Sequence, residues 1–177
     1  IMRSGRPSIW AEQQPEAYAQ LEHQAKLLNV SVYRENEDFQ VKGNHTGTLI
    51  LKSDSDEINI PPLSLYGKHQ TQNAALALMA LKTSGRVTDL AAAAEGASHA
   101  DWPARVQKLK NGHLTRLENK TLWLDGAHNV HGARALVASL SLLYPHKWIV
   151  IFGALNTRPV DEMLSVIKPI VDRIYCL

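Results

Sequence analysis

From residue 121 onward the chain alternates short apolar runs with amphipathic stretches, and few folds accommodate that order. "TLWLD" is followed by "VHGARALVASLSLLY", then "KWIVIFGAL", "PVDEMLSVIKPIVD" and "RIYCL". The first, third and fifth are short and rich in β-branched or aromatic residues, which predicts strands; the second and fourth space apolar residues three and four apart, which predicts helices. Strand, helix, strand, helix, strand is the pattern of a parallel α/β sheet, since each helix carries the chain back to start another strand in the same direction. Two further strands are predicted just before it, over 105–109 and in "HLTRLE".

The first hundred residues differ in character. "PSIWAE" is a short apolar run after a Gly-Arg-Pro turn, and "PEAYAQLEHQAKLLN" places Tyr18, Leu21, Ala25 and Leu28 at helical spacing with Pro15 near its start. "VSVYREN", "DFQVKG", "GTLILKS" and "EINIPPLSLYG" predict short, largely antiparallel strands separated by Gly- and Asn-containing turns. Two helices follow, "HQTQNAALALMALKTSG" ending at Ser84-Gly85 and "VTDLAAAAEGAS" capped by Thr88 or Asp89. A domain boundary is expected near 98–103.

Composition narrows the function classes. With 177 residues, 45% apolar and 20% charged, the chain can bury a real core. A formal charge of +2 is too small for a general nucleic-acid binder and leaves room for a local phosphate site. The single cysteine, Cys176, excludes an internal disulfide and a cysteine zinc cluster. No apolar run approaches the roughly 18 residues of a membrane-spanning helix, and the start lacks a signal-peptide layout, so no membrane partner and a cytoplasmic setting are expected. The opening on Ile1 and the strand-like end at "RIYCL" predict a piece of a longer protein.

One polar cluster stands where chemistry is expected. Open parallel sheets bind ligands beyond the carboxyl ends of their strands, and "TLWL" delivers Asp125, Gly126, His128 and Asn129 to that edge. The following helix offers N–H groups and a positive dipole end to an anion, Gly126 permits a sharp turn or close approach, and an acceptor-only carboxylate suits ribose hydroxyls. Taken singly, each residue has a plainer role. Asp125 or Asn129 would cap the helix, and His128 would be a turn residue bonded to backbone.

The cluster has company elsewhere. "LDGAHN" resembles the C-terminal-domain motif of the folylpolyglutamate synthases, the folate branch of the Mur-ligase superfamily. "YGKHQTQNAALALMAL" is similar to that family's Gly-x-His-Gln-x-x-Asn-Ala-Ala helix, and "WPARVQKL" to the Pro-Gly-Arg segment that opens its C-terminal domain. "IMRSGRPSIWAEQQPEA" and "IFGALNTRPVDEML" resemble flanking stretches, so the likeness runs over essentially the whole chain.

The resemblance implies an α/β chain in which 1–100 are the end of a central ATPase domain and 101–177 a truncated, Rossmann-like C-terminal domain. It implies an ATP-dependent ligase that activates a carboxylate as an acyl phosphate and lets the amine of L-glutamate attack it, with dihydropteroate or a reduced folate as acceptor. Carried over by position, Asn73 would contact adenine, Arg105 the phosphates, Asp125 the ribose or phosphate end of ATP, and His128 the nucleotide or glutamate. An amide carries both donor and acceptor for an adenine edge, and a guanidinium is a planar fork for phosphate. Closure of the two domains would exclude water from the acyl phosphate. A monomer is expected. Plainer roles exist here too: Asn73 as a helix-surface residue, Arg105 as a surface arginine.

Several features depart from the family. No Gly-x-x-x-x-Gly-Lys-Ser/Thr loop is present, so the triphosphate cradle, the Mg2+ ligands and the family's modified lysine are expected upstream, and the piece alone is expected to be inactive. Val130 stands where many relatives have proline, and "ALNTRP" lacks the usual Lys-Asp pair, so Arg158 receives no role. The segment between Arg105 and Asp125 is long enough for an extra hairpin turn at "KNGH". Gln70, His131 and Arg134 stay outside the predicted site. Two alternatives remain at this stage: a peptidoglycan Mur ligase acting on a nucleotide-sugar peptide, and a non-catalytic nucleotide-binding module.

Overall fold

The computed structural model describes residues 2–43, 47–54, 56–110, 112–116, 121–155 and 157–177. The chain divides into two compact units, Ile1–Ser64 with His69–Ala100, and Leu65–Lys68 with Asp101–Leu177.

In the first unit, strand β1 (Ser8–Trp10) leads into helix α1 (Pro15–Leu27), which begins on proline, where the missing N–H has no helical partner to lose. The helix returns the chain to β2 (Val32–Arg34), which pairs with β1 in parallel, Ser8 opposite Val32 and Trp10 opposite Arg34. This corrects the expectation that "VSVYREN" joins the antiparallel strands, because the intervening helix sets the direction of its neighbour. The guanidinium of Arg34 lies 5.4 Å from the Trp10 ring centre and 3.2 Å from Glu22, tying β2 to both preceding elements.

An antiparallel meander follows: β3 (Phe39–Lys42), β4 (Leu49–Ser53) and β5 (Asp56–Ile60). Alternation decides its faces. Leu49, Leu51, Ile58 and Ile60 are buried, while Lys52 and Glu57 face each other across the outer surface at 2.6 Å. Helix α2 (Lys68–Ser84) covers the apolar face with Ala75, Leu78 and Met79, and α3 (Leu90–Ser98) adds Ala94. Asp89 caps α3 by accepting from the Ala92 N–H at 2.9 Å. The buried positions of α2 are 70, 71, 74, 75, 78 and 79, a stripe that leaves Asn73 exposed on the flank.

The second unit is also mixed α/β. Strands β6 (Gln107–Lys108) and β7 (Trp123–Leu124) form a short antiparallel ladder. Helix α4 (Val130–Leu143) leads to β8 (Trp148–Phe152), and α5 (Val160–Ile167) to β9 (Val171–Cys176), which runs parallel to β8. Ala133, Met163 and Ile167 form the core, packed against Val137, Val150, Phe152 and Val171. Trp123, Tyr144 and Trp148 meet edge to face with ring centres 5.6 to 6.5 Å apart, joining β7 to the end of α4 and the start of β8.

Four details of this unit differ from the sequence-based expectation. The strand over 105–109 shrinks to two residues because Val106 adopts a left-handed φ of 45°. In "HLTRLE", Leu114–Arg116 form a 3-10 turn, and 117 and 118 lie outside the described residues, as do 111 in "KNGH" and 156 in "ALNTRP". Among the described residues, β7 pairs only with β6, so "TLWL" lies in an antiparallel ladder while parallel pairing is confined to β8 and β9. Finally, α5 stops at Ile167 instead of continuing through "KPIVD", since Pro169 cannot donate to the helix; a 3-10 turn passes directly into β9. Among the described residues no helix is long and apolar enough to cross a membrane.

Truncation inside the meander core should be costly and truncation on the outer face of β8 should not. Phe39→Ala (2% exposed) is expected to destabilise by about 3–5 kcal/mol. Ile151→Ala (71% exposed) should fall within about 0.5 kcal/mol of the unsubstituted chain when both are followed by urea denaturation.

Candidate functional site

The segment between α3 and β6 contains two non-glycine residues in the left-handed region, Ala104 at φ 58° and Val106 at φ 45°, with Arg105 between them. Such values are uncommon for alanine and are outliers for a β-branched residue. Three hydrogen bonds hold them. The Ala104 N–H donates to Gln107 Oε1 at 3.0 Å, the Ala104 carbonyl accepts from the Gly126 N–H at 2.9 Å, and the Val106 N–H donates to Asp125 Oδ2 at 2.8 Å. Val106 itself is buried and Arg105 exposed. The Pro-Gly-Arg-like segment and the LDGAHN motif, separated by some twenty residues of sequence, therefore interlock through backbone groups.

Asp125 is half-buried, and its second oxygen, Oδ1, accepts from the Ala127 N–H at 2.8 Å. Both carboxylate oxygens thus have backbone donors. Neither plain role in helix capping falls to it, because Asn129 caps α4 through its Oδ1, which accepts from the Gly132 N–H at 2.7 Å. Gly132 leaves room for this: a Cβ there would stand 3.3 Å from Asn129 Oδ1. Gly126 does not supply the sharp turn that the sequence suggests. Its φ is not left-handed and a Cβ would meet Ala104 only at ordinary contact distance, so the tight geometry comes from Ala104 and Val106.

His128 is exposed, and its Nδ1 lies 3.0 Å from the Gly126 carbonyl. A carbonyl can only accept, so Nδ1 carries the proton and Nε2 is left as the ring nitrogen for a second partner. Among the described residues the Arg105 guanidinium has no ion-pair partner. The second unit thus presents an exposed guanidinium, a planar fork suited to phosphate oxygens, and an imidazole whose Nε2 is open to a hydrogen-bond donor.

Asn73 belongs to the first unit. Its Nδ2 donates to Gln70 Oε1 at 3.0 Å, and Gln70 Nε2 donates in turn to His69 Nε2 at 3.0 Å. Gln70 is buried, so this relay holds the Asn73 amide through Nδ2 and leaves Oδ1 as an acceptor with no hydrogen-bond partner among the described residues. Sequence reasoning leaves Gln70 outside the site, and it also misses Ala104, Val106 and Gln107. The signal for Ala104 lay in its place in "WPAR", where the Pro-Gly-Arg segment it resembles has glycine, the usual occupant of a positive φ. Among the described residues no three His, Cys, Asp or Glu side chains gather as a metal site.

Residues 104–177 match the model of the Mur ligase, glutamate ligase domain, a match that begins at the strained turn. This segment is similar to the Mur ligase glutamate-ligase domain. The chain as a whole is 27% identical to the dihydrofolate synthase/folylpolyglutamate synthase of Bacillus subtilis, over 99% of its own length and 41% of that protein. It is similar in structure to a folylpolyglutamate synthase from Thermotoga maritima, with a TM-score of 0.76, 27% identity and coverage of 99% of this chain and 41% of that one. The fold also matches a Mycobacterium tuberculosis folylpolyglutamate synthase complexed with ADP, with a TM-score of 0.80, 24% identity, and 98% and 39% coverage. The chain therefore spans about two fifths of the length of these relatives. In Mur ligase terms, Arg105 and Asp125 both lie inside the matched domain, and Asn73 precedes it.

Glycine at position 104 should relieve strain at the turn. Ala104→Gly removes a left-handed alanine worth roughly 1–2 kcal/mol against a chain-entropy cost of about 0.5–1 kcal/mol. A net stabilisation of about 0.5–1 kcal/mol is expected, read as a raised midpoint in thermal denaturation.

Proposed function

We propose that the complete protein is an ATP-dependent ligase that adds L-glutamate to dihydropteroate, to reduced folates, or to both. The observation that carries this is the family-matched Arg105 turn, held by the LDGAHN motif, in a chain similar over 99% of its length to a dihydrofolate synthase/folylpolyglutamate synthase. On this proposal residues 1–100 are the C-terminal part of a central ATPase domain and 101–177 the Rossmann-like C-terminal domain. The structural relative complexed with ADP supports a nucleotide as the ligand. The folate names of the relatives leave the peptidoglycan alternative without support.

The chemistry divides among few groups. Transfer of the γ-phosphoryl group of ATP to the acceptor carboxylate gives an acyl phosphate and ADP. The amine of glutamate then attacks the acyl carbon, an amide forms and inorganic phosphate leaves. Arg105 would hold phosphate oxygens as charge moves through them, a task for which a planar guanidinium surpasses lysine. Asn73 Oδ1, left open while Nδ2 is held by Gln70, would accept from the adenine amino group. Asp125 belongs to the ribose or phosphate end of the ATP site, and His128 would place nucleotide or glutamate through Nε2.

When bound, Mg2+ would neutralise charge on the transferring phosphoryl group. Its ligands and the phosphate-cradling loop are proposed to lie before residue 1, so this chain alone would be inactive. The proposed substrates are all small molecules, the setting is cytoplasmic and the protein is monomeric.

The test uses the complete protein with Mg2+, ATP, glutamate and either dihydropteroate or a reduced folate, following ADP release and product mass. Arg105→Ala is expected to lower kcat/KM for ATP by about a hundredfold. His113→Ala, which bears on nothing in the site, should stay within about twofold. Equal small effects, or products not heavier by one glutamyl unit, would count against the ligase.

A further inference from the structure

Helix α2 has no polar side over its middle. Residues 74–81 read "AALALMAL", an unbroken apolar run, and a helix that is apolar all round is a buried helix. One side is accounted for, since Ala75, Leu78 and Met79 lie in the meander core. On the other side Ala77, Ala80 and Leu81 are exposed and Leu76 is half-buried. This bare side borders an open groove of about 440 Å³, with Leu76, Ala77 and Ala80 contributed by α2 and Ser8 and Ile9 by β1.

The backbone of β1 is open on one edge. Among the described residues β1 pairs only with β2. The Ser8 N–H donates to the Ser31 carbonyl and the Trp10 carbonyl accepts from the Glu35 N–H, both at 2.9 Å. Successive peptide groups of a strand point to opposite edges, so the N–H and carbonyl of Ile9 face away from β2. The far edge of β2 is closed by the chain's own turn: the Arg34 N–H donates to Asp38 Oδ2 at 2.7 Å, and the Arg34 carbonyl accepts from the Asp38 N–H at 2.9 Å. The sheet is therefore blunted beside β2 and extendable beside β1. Two parallel strands of three residues each are also too little to stand alone, because parallel sheets occur with both faces covered.

We propose that this groove seats a β-strand from the part of the complete protein that precedes residue 1, hydrogen-bonded to Ile9 and covering Leu76, Ala77 and Ala80 with its apolar side chains. Two observations choose this occupant. The relatives are more than twice the length of this chain, enough for further strands. Met2 and Arg3, which lead into β1, line the same groove, so chain arriving from upstream passes beside it. The inference rests on the reading, proposed above, that an ATPase portion with the phosphate-cradling loop lies upstream. Asn73 stands three, four and seven positions before Leu76, Ala77 and Ala80, on the same flank of α2. The docked strand then holds Asn73 and the upstream phosphate site in one packed body.

The test uses the complete protein. Benzoylphenylalanine placed at Arg3 and irradiated is expected to cross-link, within one molecule, to a peptide that precedes residue 1, identified by mass spectrometry. A cross-link to a second copy, to the segment after residue 177, or to nothing would overturn the proposal. In a Cys176→Ser background, the thiol of Ala77→Cys should be labelled about a hundredfold more slowly than that of Gln40→Cys on the exposed side of β3. Equal rates would count against a covered groove. Hydrogen exchange on the unsubstituted protein needs no variant that could fail to fold: the Ile9 amide should exchange about a hundredfold slower than an unstructured amide, and exchange at the unstructured rate would sink the docking. A covered groove in a protein that forms no glutamyl product would leave the docking standing and remove the ligase reading; an active ligase with position 77 freely labelled would remove the docking alone.

Discussion

The Asp125 carboxylate, shared between the N–H groups of Val106 and Ala127, is the constraint on which the candidate site depends. An ionised acceptor can hold two donors at once and makes stronger bonds than a neutral one. Here it joins a turn that the chain would not adopt by itself to the start of the helix that follows the motif. Arg105, exposed, lies between the left-handed Ala104 and Val106 that this bond helps to hold.

Around this bond the second unit is assembled from elements with little hydrogen-bonded continuity among the described residues. A two-residue antiparallel ladder carries the motif, and a separate parallel pair, β8 and β9, follows. Side chains bridge what the ladders do not. The Trp123, Tyr144 and Trp148 rings link the motif strand to β8, and Ala133 lets α4 pack closely against Met163 and Ile167. The first unit is built differently, around a meander whose inward residues meet the alanine-rich face of α2. That packing assigns Gln70 to the interior and Asn73 to the flank, and so orients the Asn73 amide through a buried partner.

Much of the fold was legible where periodicity was strong. The runs "GTLILKS" and "EINIPP" located β4 and β5, and the caps Asp89 and Asn129 were each one of two residues that residue type offered. Reading failed where direction or backbone strain decided the outcome. Nothing in "VSVYREN" reveals that its neighbour is a parallel strand, because hydrophobic alternation is blind to the direction of pairing. Nothing in the sequence of Val106 announces a positive φ, since local propensity argues against it. The long helix drawn through "KPIVD" failed for a simpler reason: Pro169 stops it.

The sequence by itself determined the order of elements, the residue types available for phosphate and adenine, and a resemblance that named Asn73, Arg105, Asp125 and His128 together. These follow from composition, period and motif, all of which are local. The tertiary structure alone decided what those residues are bonded to. Asp125 could cap a helix, meet a ligand or hold a turn, and the arrival of the Val106 N–H at 2.8 Å shows that it holds a turn. A carboxylate's role is set by the donors around it, and those donors come from a segment some twenty residues away that the fold brings alongside.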